Sequence, residues 1–116
     1  MSPSVLLVED NPVTRRLVQI TLAGEGFTVL EAADCASALQ RARARRPDLV
    51  ILDMILPDRD ATTLVPELRA LWPEVPLIAM SGFYSAQEEA RACQVGFDEV
   101  LVKPVVPDRL RELART

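Results

Sequence analysis

Five short apolar runs recur along the chain, at residues 5–8, 27–30, 49–52, 77–80 and 100–102. Each has the length of a strand, and most are rich in branched aliphatic side chains. The segments between them have helical length, so strands alternate with helices. That alternation requires crossover connections and therefore predicts a parallel sheet covered on both faces. The runs at 5–8, 49–52 and 77–80 are apolar throughout, as strands buried on both faces should be, whereas Phe27-Thr28-Val29-Leu30 is mixed and suits a sheet edge.

The intervening segments carry helix start and stop signals. Asn11 precedes Pro12, placing a capping residue before a proline that fits the first helical turn. Val13, Leu17, Ile20 and Leu22 then form the expected buried face of that helix, and Gly24 and Gly26 end it. Asp34 caps a second helix through Ala38, Leu39 and Ala42, stopped by Pro47. A third is expected from near Thr63 to near Trp72, with Pro66 tolerated inside its first turn. Ser85 and Glu88 make a capping box for the fourth, which Gly96 closes. Pro107 and Asp108 open a short fifth helix, amphipathic through Leu110 and Leu113. The reading is α/β: a doubly wound five-stranded parallel sheet, (βα)5 and flavodoxin-like, with strand order 2-1-3-4-5. Such a sheet binds ligands beyond its carboxyl edge where the winding reverses, here between the first and third strands. No repeat, low-complexity tract or linker interrupts the chain, so residues 1–116 are expected to be one domain.

Composition narrows the function classes. With 13 basic and 17 acidic residues the net charge is −4, which argues against direct nucleic-acid binding. The cluster Arg41, Arg43, Arg45 and Arg46 reads as the solvated end of a helix. No stretch approaches a membrane span and no signal-peptide layout is present, so a cytoplasmic location is expected. Cys35 and Cys93 are read as reduced thiols in the core or on a helix surface. The chain has no histidine, which excludes a histidine-based triad and phosphohistidine chemistry of its own.

Chemistry gathers at the strand ends. Glu9 and Asp10 follow the first run and Asp53 follows the third. Three carboxylates this close repel, and a divalent cation resolves the repulsion; oxygen-only ligands favour magnesium. Ser81 follows the fourth run and Lys103 the fifth, offering a hydroxyl and an ammonium for a tetrahedral anion. A carboxylate nucleophile, a metal, a hydroxyl and a lysine together suit phosphoryl transfer.

These residues are where the chain resembles a family, the CheY-like receiver domains of two-component response regulators. The pieces are Val8-Glu9-Asp10-Asn11-Pro12, Leu52-Asp53-Met54-Ile55-Leu56-Pro57, Met80-Ser81-Gly82 and Val102-Lys103-Pro104, in order along essentially the whole chain. The resemblance implies that Asp53 takes a phosphoryl group from a sensor histidine kinase or phosphotransfer protein. It implies that Asp10, Asp53 and the backbone carbonyl of Ile55 hold Mg2+, with Glu9 reaching it through water, and that Ser81 and Lys103 grip the phosphate. A cis Lys103–Pro104 bond is expected by the same likeness. So is an effector contacted through the face of the fourth helix, fifth strand and fifth helix, where Glu88, Glu89, Arg91, Glu99, Arg109, Arg111 and Glu112 are also compatible with a homodimer. No catalytic turnover of its own is expected beyond slow self-dephosphorylation.

Three departures from the family pattern bear on mechanism. Val100 stands where receivers often carry an aromatic switch residue, Ala61 stands where glycine often follows the acid Asp60, and apolar Ile55 and Phe83 flank the expected path of a hydrolytic water. The last pair predicts a comparatively long-lived aspartyl phosphate. The alternative reading is a receiver-like interaction module that works without phosphorylation, and a hydrolase is disfavoured because Ile55 occupies the place of a second acid.

Overall fold

The computed structural model describes residues 2–82 and 85–115. Phe83, one of the two residues expected to flank a hydrolytic water, lies outside them. The strands are β1 (Ser4–Val8), β2 (Thr28–Ala32), β3 (Leu49–Asp53), β4 (Leu77–Ser81) and β5 (Glu99–Val102). The helices are α1 (Pro12–Gly24), α2 (Cys35–Ala44), α3 (Leu64–Leu71), α4 (Ala86–Val95) and α5 (Pro107–Arg115), with a 3₁₀ turn over Ala61–Thr63 before α3. All neighbouring strands are parallel and the order is β2-β1-β3-β4-β5, as the alternation and the resemblance imply.

Alternate residues of each central strand serve opposite faces, the two-residue period of a pleated strand. Leu6, Val8, Val50 and Leu52 pack with Cys35, Ala38 and Ala42 of α2 and with Leu64, Val65 and Leu68 of α3. Val5, Leu7, Leu49 and Ile51 pack with Val18 and Leu22 of α1 and with Leu110 and Leu113 of α5. Each side of the sheet therefore has its own core, and every residue of β1, β3 and β4 is buried.

The helix ends follow the capping chemistry of the sequence. Asn11 Oδ1 accepts from the amides of Val13 at 2.9 Å and Thr14 at 3.2 Å. Ser85 Oγ accepts from the Glu88 amide at 3.1 Å, and Gly96, at φ +119, receives the end of α4. A Cβ there would lie 3.2 Å from Val65 Cγ1, so both conformation and packing favour glycine.

One expectation needs correction. Val13 is 78 % exposed and Ile20 54 %, and Leu17 is exposed too, so of the four residues expected to face the core only Leu22 does. The face on the sheet is Val18, Thr21 and Leu22. Thr21 fits there because its hydroxyl donates to the Leu17 carbonyl at 2.9 Å, satisfying the polar atom inside the helix. The third helix lies where it is expected, Leu64–Leu71 with Pro66 in its first turn, and it is entered through a 3₁₀ turn opened by Ala61, in which Asp60 Oδ1 accepts from the Thr62 amide at 2.9 Å. Among the described residues no non-glycine has positive φ, so the chain needs no glycine at position 61.

Candidate functional site

Sheet register assembles the site. Val8 pairs with Leu52, so the residues that follow, Glu9 and Asp53, leave the sheet side by side. Asp53 pairs with Met80 and Ser81 with Val102, which brings the hydroxyl and then Lys103 onto the same edge. The turn is fixed by backbone bonds: the Lys103 amide donates to the Ser81 carbonyl at 2.8 Å, and the Met54 amide to the Met80 carbonyl at 2.9 Å. The Lys103–Pro104 bond is cis, as expected.

The acids are unequally hidden. Glu9 is fully buried and Asp53 is 4 % exposed, while Asp10 is exposed. One carboxylate oxygen from each of the three lies within 4.8 Å of the others, close enough to ligate one ion. Lys103 Nζ sits between two of them, 2.8 Å from Asp53 Oδ2 and 2.9 Å from Glu9 Oε2. The second contact is electrostatic rather than directional, because Glu9 Oε2 is buried without an aligned hydrogen bond. Glu9 Oε1 accepts from the Asn11 amide at 3.0 Å, and Asp53 Oδ1 from the Ile55 amide at 3.1 Å.

Burial raises the Glu9 carboxyl above its ordinary range; Lys103 and the Asn11 amide oppose this, and Asp53 adds to it. Burial pulls the Lys103 ammonium down, but the contacts with Asp53 and Glu9 outweigh it and its pKa is raised. The lysine is thus held charged by a cluster with more negative charge than it can neutralise. A buried oxygen without a bonded donor, beside two other carboxylates, suits a hard divalent cation with oxygen ligands.

Ser81 is 6 % exposed and lines a 660 Å³ cavity with Asp53, Ile55, Gly82, Arg59, Asp60 and Arg91. The Ile55 side chain is largely exposed at this cavity's rim, and Ile55 is bridged to Asp60 across the loop. Val100 is half-buried and packs against the core on the α2–α3 side.

Sequence reasoning missed two supports of the site. Arg15 Nη1 donates to the Glu9 carbonyl at 3.0 Å, and its Nε lies 3.5 Å from Glu31 Oε1. Its place one turn into the helix after Asn11 is the signal that could have found it. Asp58 accepts from the Cys35 and Ala36 amides at the start of α2, at 3.0 and 3.1 Å. Nothing in the local pattern announces a partner more than twenty residues away.

On the face of α4, β5 and α5, much of the mixed charge is paired within the chain. Arg111 lies 2.8 Å from Asp108 and 3.3 Å from Glu25, Arg109 lies 3.2 Å from Glu112, and Arg91 lies 3.5 Å from Asp60. A 480 Å³ groove over β5, lined by Glu89, Val100, Val102, Pro104, Val106 and Arg109 among others, remains between them.

Residues 5–115 match the family pattern of the response regulator receiver domain. The chain belongs to that family. This receiver domain is 39 % identical over 101 residues to the KDP operon transcriptional regulatory protein KdpE of Escherichia coli, covering 87 % of this chain and 44 % of KdpE. It is 34 % identical to the probable transcriptional regulatory protein TcrX of Mycobacterium tuberculosis, covering 97 % of this chain and 50 % of TcrX. The chain thus spans about half the length of these relatives. Among solved structures, Vibrio cholerae CheY4 superposes with a TM-score of 0.92 at 28 % identity, covering 99 % of this chain and 98 % of that one. The receiver domain of Brucella abortus NtrX gives 0.89 at 33 % identity, covering 96 % and 94 %. Among the described residues of the receiver domain, no helix is long and apolar enough to cross a membrane.

Proposed function

We propose that this receiver domain accepts a phosphoryl group on Asp53 with Mg2+ bound beside it, and that the acceptance alters its contacts with an effector. The observation that carries the reading is Asp53 buried at a strand end, paired with Lys103 at 2.8 Å, within 4.8 Å of two further carboxylates. Magnesium, when bound, supplies positive charge that screens the carboxylates and a phosphoryl group from one another. Asp10, Asp53 and the Ile55 carbonyl would hold it, with Glu9 acting through water.

A carboxylate oxygen of Asp53 attacks phosphorus. The bond from phosphorus to the donor's imidazole nitrogen breaks, and the imidazole leaves with that electron pair and takes a proton. Lys103, held charged, pairs with the added phosphoryl oxygens, and the Ser81 hydroxyl donates to one of them. The donor is a sensor histidine kinase or phosphotransfer protein. The domain works in the cytoplasm as one unit, contacts its effector through the groove of α4, β5 and α5, and catalyses nothing further. Ile55, apolar at the cavity rim, cannot orient a hydrolytic water, so the acyl phosphate is lost slowly.

Incubation with magnesium and acetyl phosphate, followed by intact-mass measurement, tests this. The wild type should gain one phosphoryl group, retain it through a chase without donor, and Asp53→Asn should gain none. No gain in the wild type, together with no response to beryllofluoride, would favour an interaction module that works without phosphorylation.

A further inference from the structure

Three consecutive residues of the loop after Asp53 reach three different helices. Asp58 bonds the start of α2, Arg59 pairs with Glu67 of α3, and Asp60 lies 3.5 Å from Arg91 of α4. The first contact differs in kind from the other two. Its two carboxylate oxygens take the Cys35 and Ala36 amides, the first two of α2, while Asp34 takes the third, that of Ser37, at 2.8 Å. The helix thus has one cap from its own chain segment and one from the loop that follows the acceptor.

That arrangement bears on the site because the acidic cluster is built from two segments. Glu9 and Asp10 belong to the end of β1; Asp53 and Ile55 belong to β3 and its loop. The Glu9 amide donates to the Ala32 carbonyl at 3.0 Å, which ties the β1 end to the turn that leads into α2. Asp58 closes the circuit by tying the same turn to the loop. Between Ile55 and Asp60 the loop is pinched by a backbone bridge, and Asp58 lies near its tip. Its inner polar tether is the Ile55 amide on Asp53 Oδ1. That tether ends on the carboxylate to which the proposed function assigns the metal and the phosphoryl group. Leu56 is buried and anchors the loop, but an apolar contact sets no polar direction. The Asp58 bonds are charge-assisted, sit where the helix dipole favours an anion, and are independent of Asp53.

We propose that Asp58 is a positioning residue for the metal: by docking the loop on α2 it holds the Ile55 main chain at the distance from Glu9 and Asp10 that Mg2+ requires. This rests on the magnesium-dependent reading of the site above. Asp58 touches neither metal nor phosphoryl group, and supports of this indirect kind act on metal affinity more than on the transfer step.

The test compares Asp58→Ala, Asp58→Asn and Asp34→Ala with the wild type in two measurements. One is titration with MgCl2 followed by amide chemical shifts; the other is the rate of phosphoryl uptake from acetyl phosphate against magnesium concentration. Asp58→Ala should weaken magnesium binding about tenfold and raise the half-saturating concentration by the same factor, with the rate at saturating metal within about twofold. Asp58→Asn keeps one acceptor oxygen and should fall between it and the wild type. Asp34→Ala removes a cap from the same helix end and should lower thermal stability without changing magnesium affinity. Should Asp58→Ala match Asp34→Ala in magnesium affinity while the wild type responds, the role of Asp58 is overturned and the phosphoacceptor reading stands. A wild type with no magnesium-dependent shifts overturns that reading and the role of Asp58 with it.

Discussion

Replacing Lys103 with methionine separates the forces that hold the acidic cluster together. The ammonium lies 2.8 Å from Asp53 Oδ2 and 2.9 Å from Glu9 Oε2, and its side chain is 23 % exposed. At an effective dielectric of about 20, a unit pair at such a separation attracts by about 6 kcal/mol, most of which offsets the desolvation of both groups. The net effect of removing one partner of a buried pair is about 3–5 kcal/mol: the desolvation cost of the lost ammonium is recovered, but the carboxylates it leaves stay buried and uncompensated. Methionine keeps the aliphatic stem, so packing changes little. The raised pKa of Lys103 fixes the sign with pH: its stabilisation is complete below the unfolded value near 10.5 and is lost only as pH rises through the higher folded value, so neutral pH shows the whole effect.

In chelator, thermal unfolding of Lys103→Met should therefore begin roughly 10 °C or more below that of the wild type. With saturating magnesium the gap should narrow, since the divalent ion and the ammonium serve the same carboxylates and the variant gains more from the metal. Magnesium should also bind the variant more tightly, while phosphoryl uptake from acetyl phosphate falls steeply. Tighter metal and slower transfer together would assign the lysine to the phosphoryl group rather than the metal. A variant as stable as the wild type in chelator, or equally destabilised with and without magnesium, would refute the reasoning.

Ser81→Ala should slow phosphoryl uptake by at least about tenfold in the mass assay with little loss of stability, since one small donor is removed from a fixed strand end. On α1, Leu22→Ala should cost about 2–5 kcal/mol in denaturant unfolding, whereas Val13→Ala should stay within about 0.5 kcal/mol, because only the first empties a packed core position. Asp58 has its pKa lowered chiefly by the Cys35 amide, so the stability that its charge gives is present above the unfolded value of 3.8 and is lost as pH falls through the folded one. Stability curves of the wild type and Asp58→Asn should accordingly run apart at neutral pH and converge in acid; a constant separation down to pH ~2 would be inconsistent with that linkage.

The parts of this receiver domain that were legible in its sequence are those where a single local rule decides. Apolar runs of four or five residues become strands buried on both faces, and the residue ending each run is carried to the carboxyl edge whatever its side chain. Glu9, Asp53, Ser81 and Lys103 were therefore placed together by counting, before any contact was known. The α1 face was misjudged because Val13, Leu17 and Ile20 satisfy helical spacing as well as Val18 and Leu22 do. Only the position of the sheet chooses between the two stripes, and it gives one core place to Thr21, which hydropathy would leave outside. Asp58 had no local signature at all, since a carboxylate in a loop gains its meaning from helix amides 22 and 23 residues away. The same division separates assembling the site residues from linking them to the helices. Their placement depends on strand register, which runs of valine and leucine write into the chain. The links to the helices are side chains that join distant elements: Val100 offers no ring to move, while Asp58, Arg59 and Asp60 connect the loop after Asp53 to α2, α3 and α4. Under the proposed function, an effect of Asp53 on the helices should therefore be sought in that loop as well as at the groove over β5.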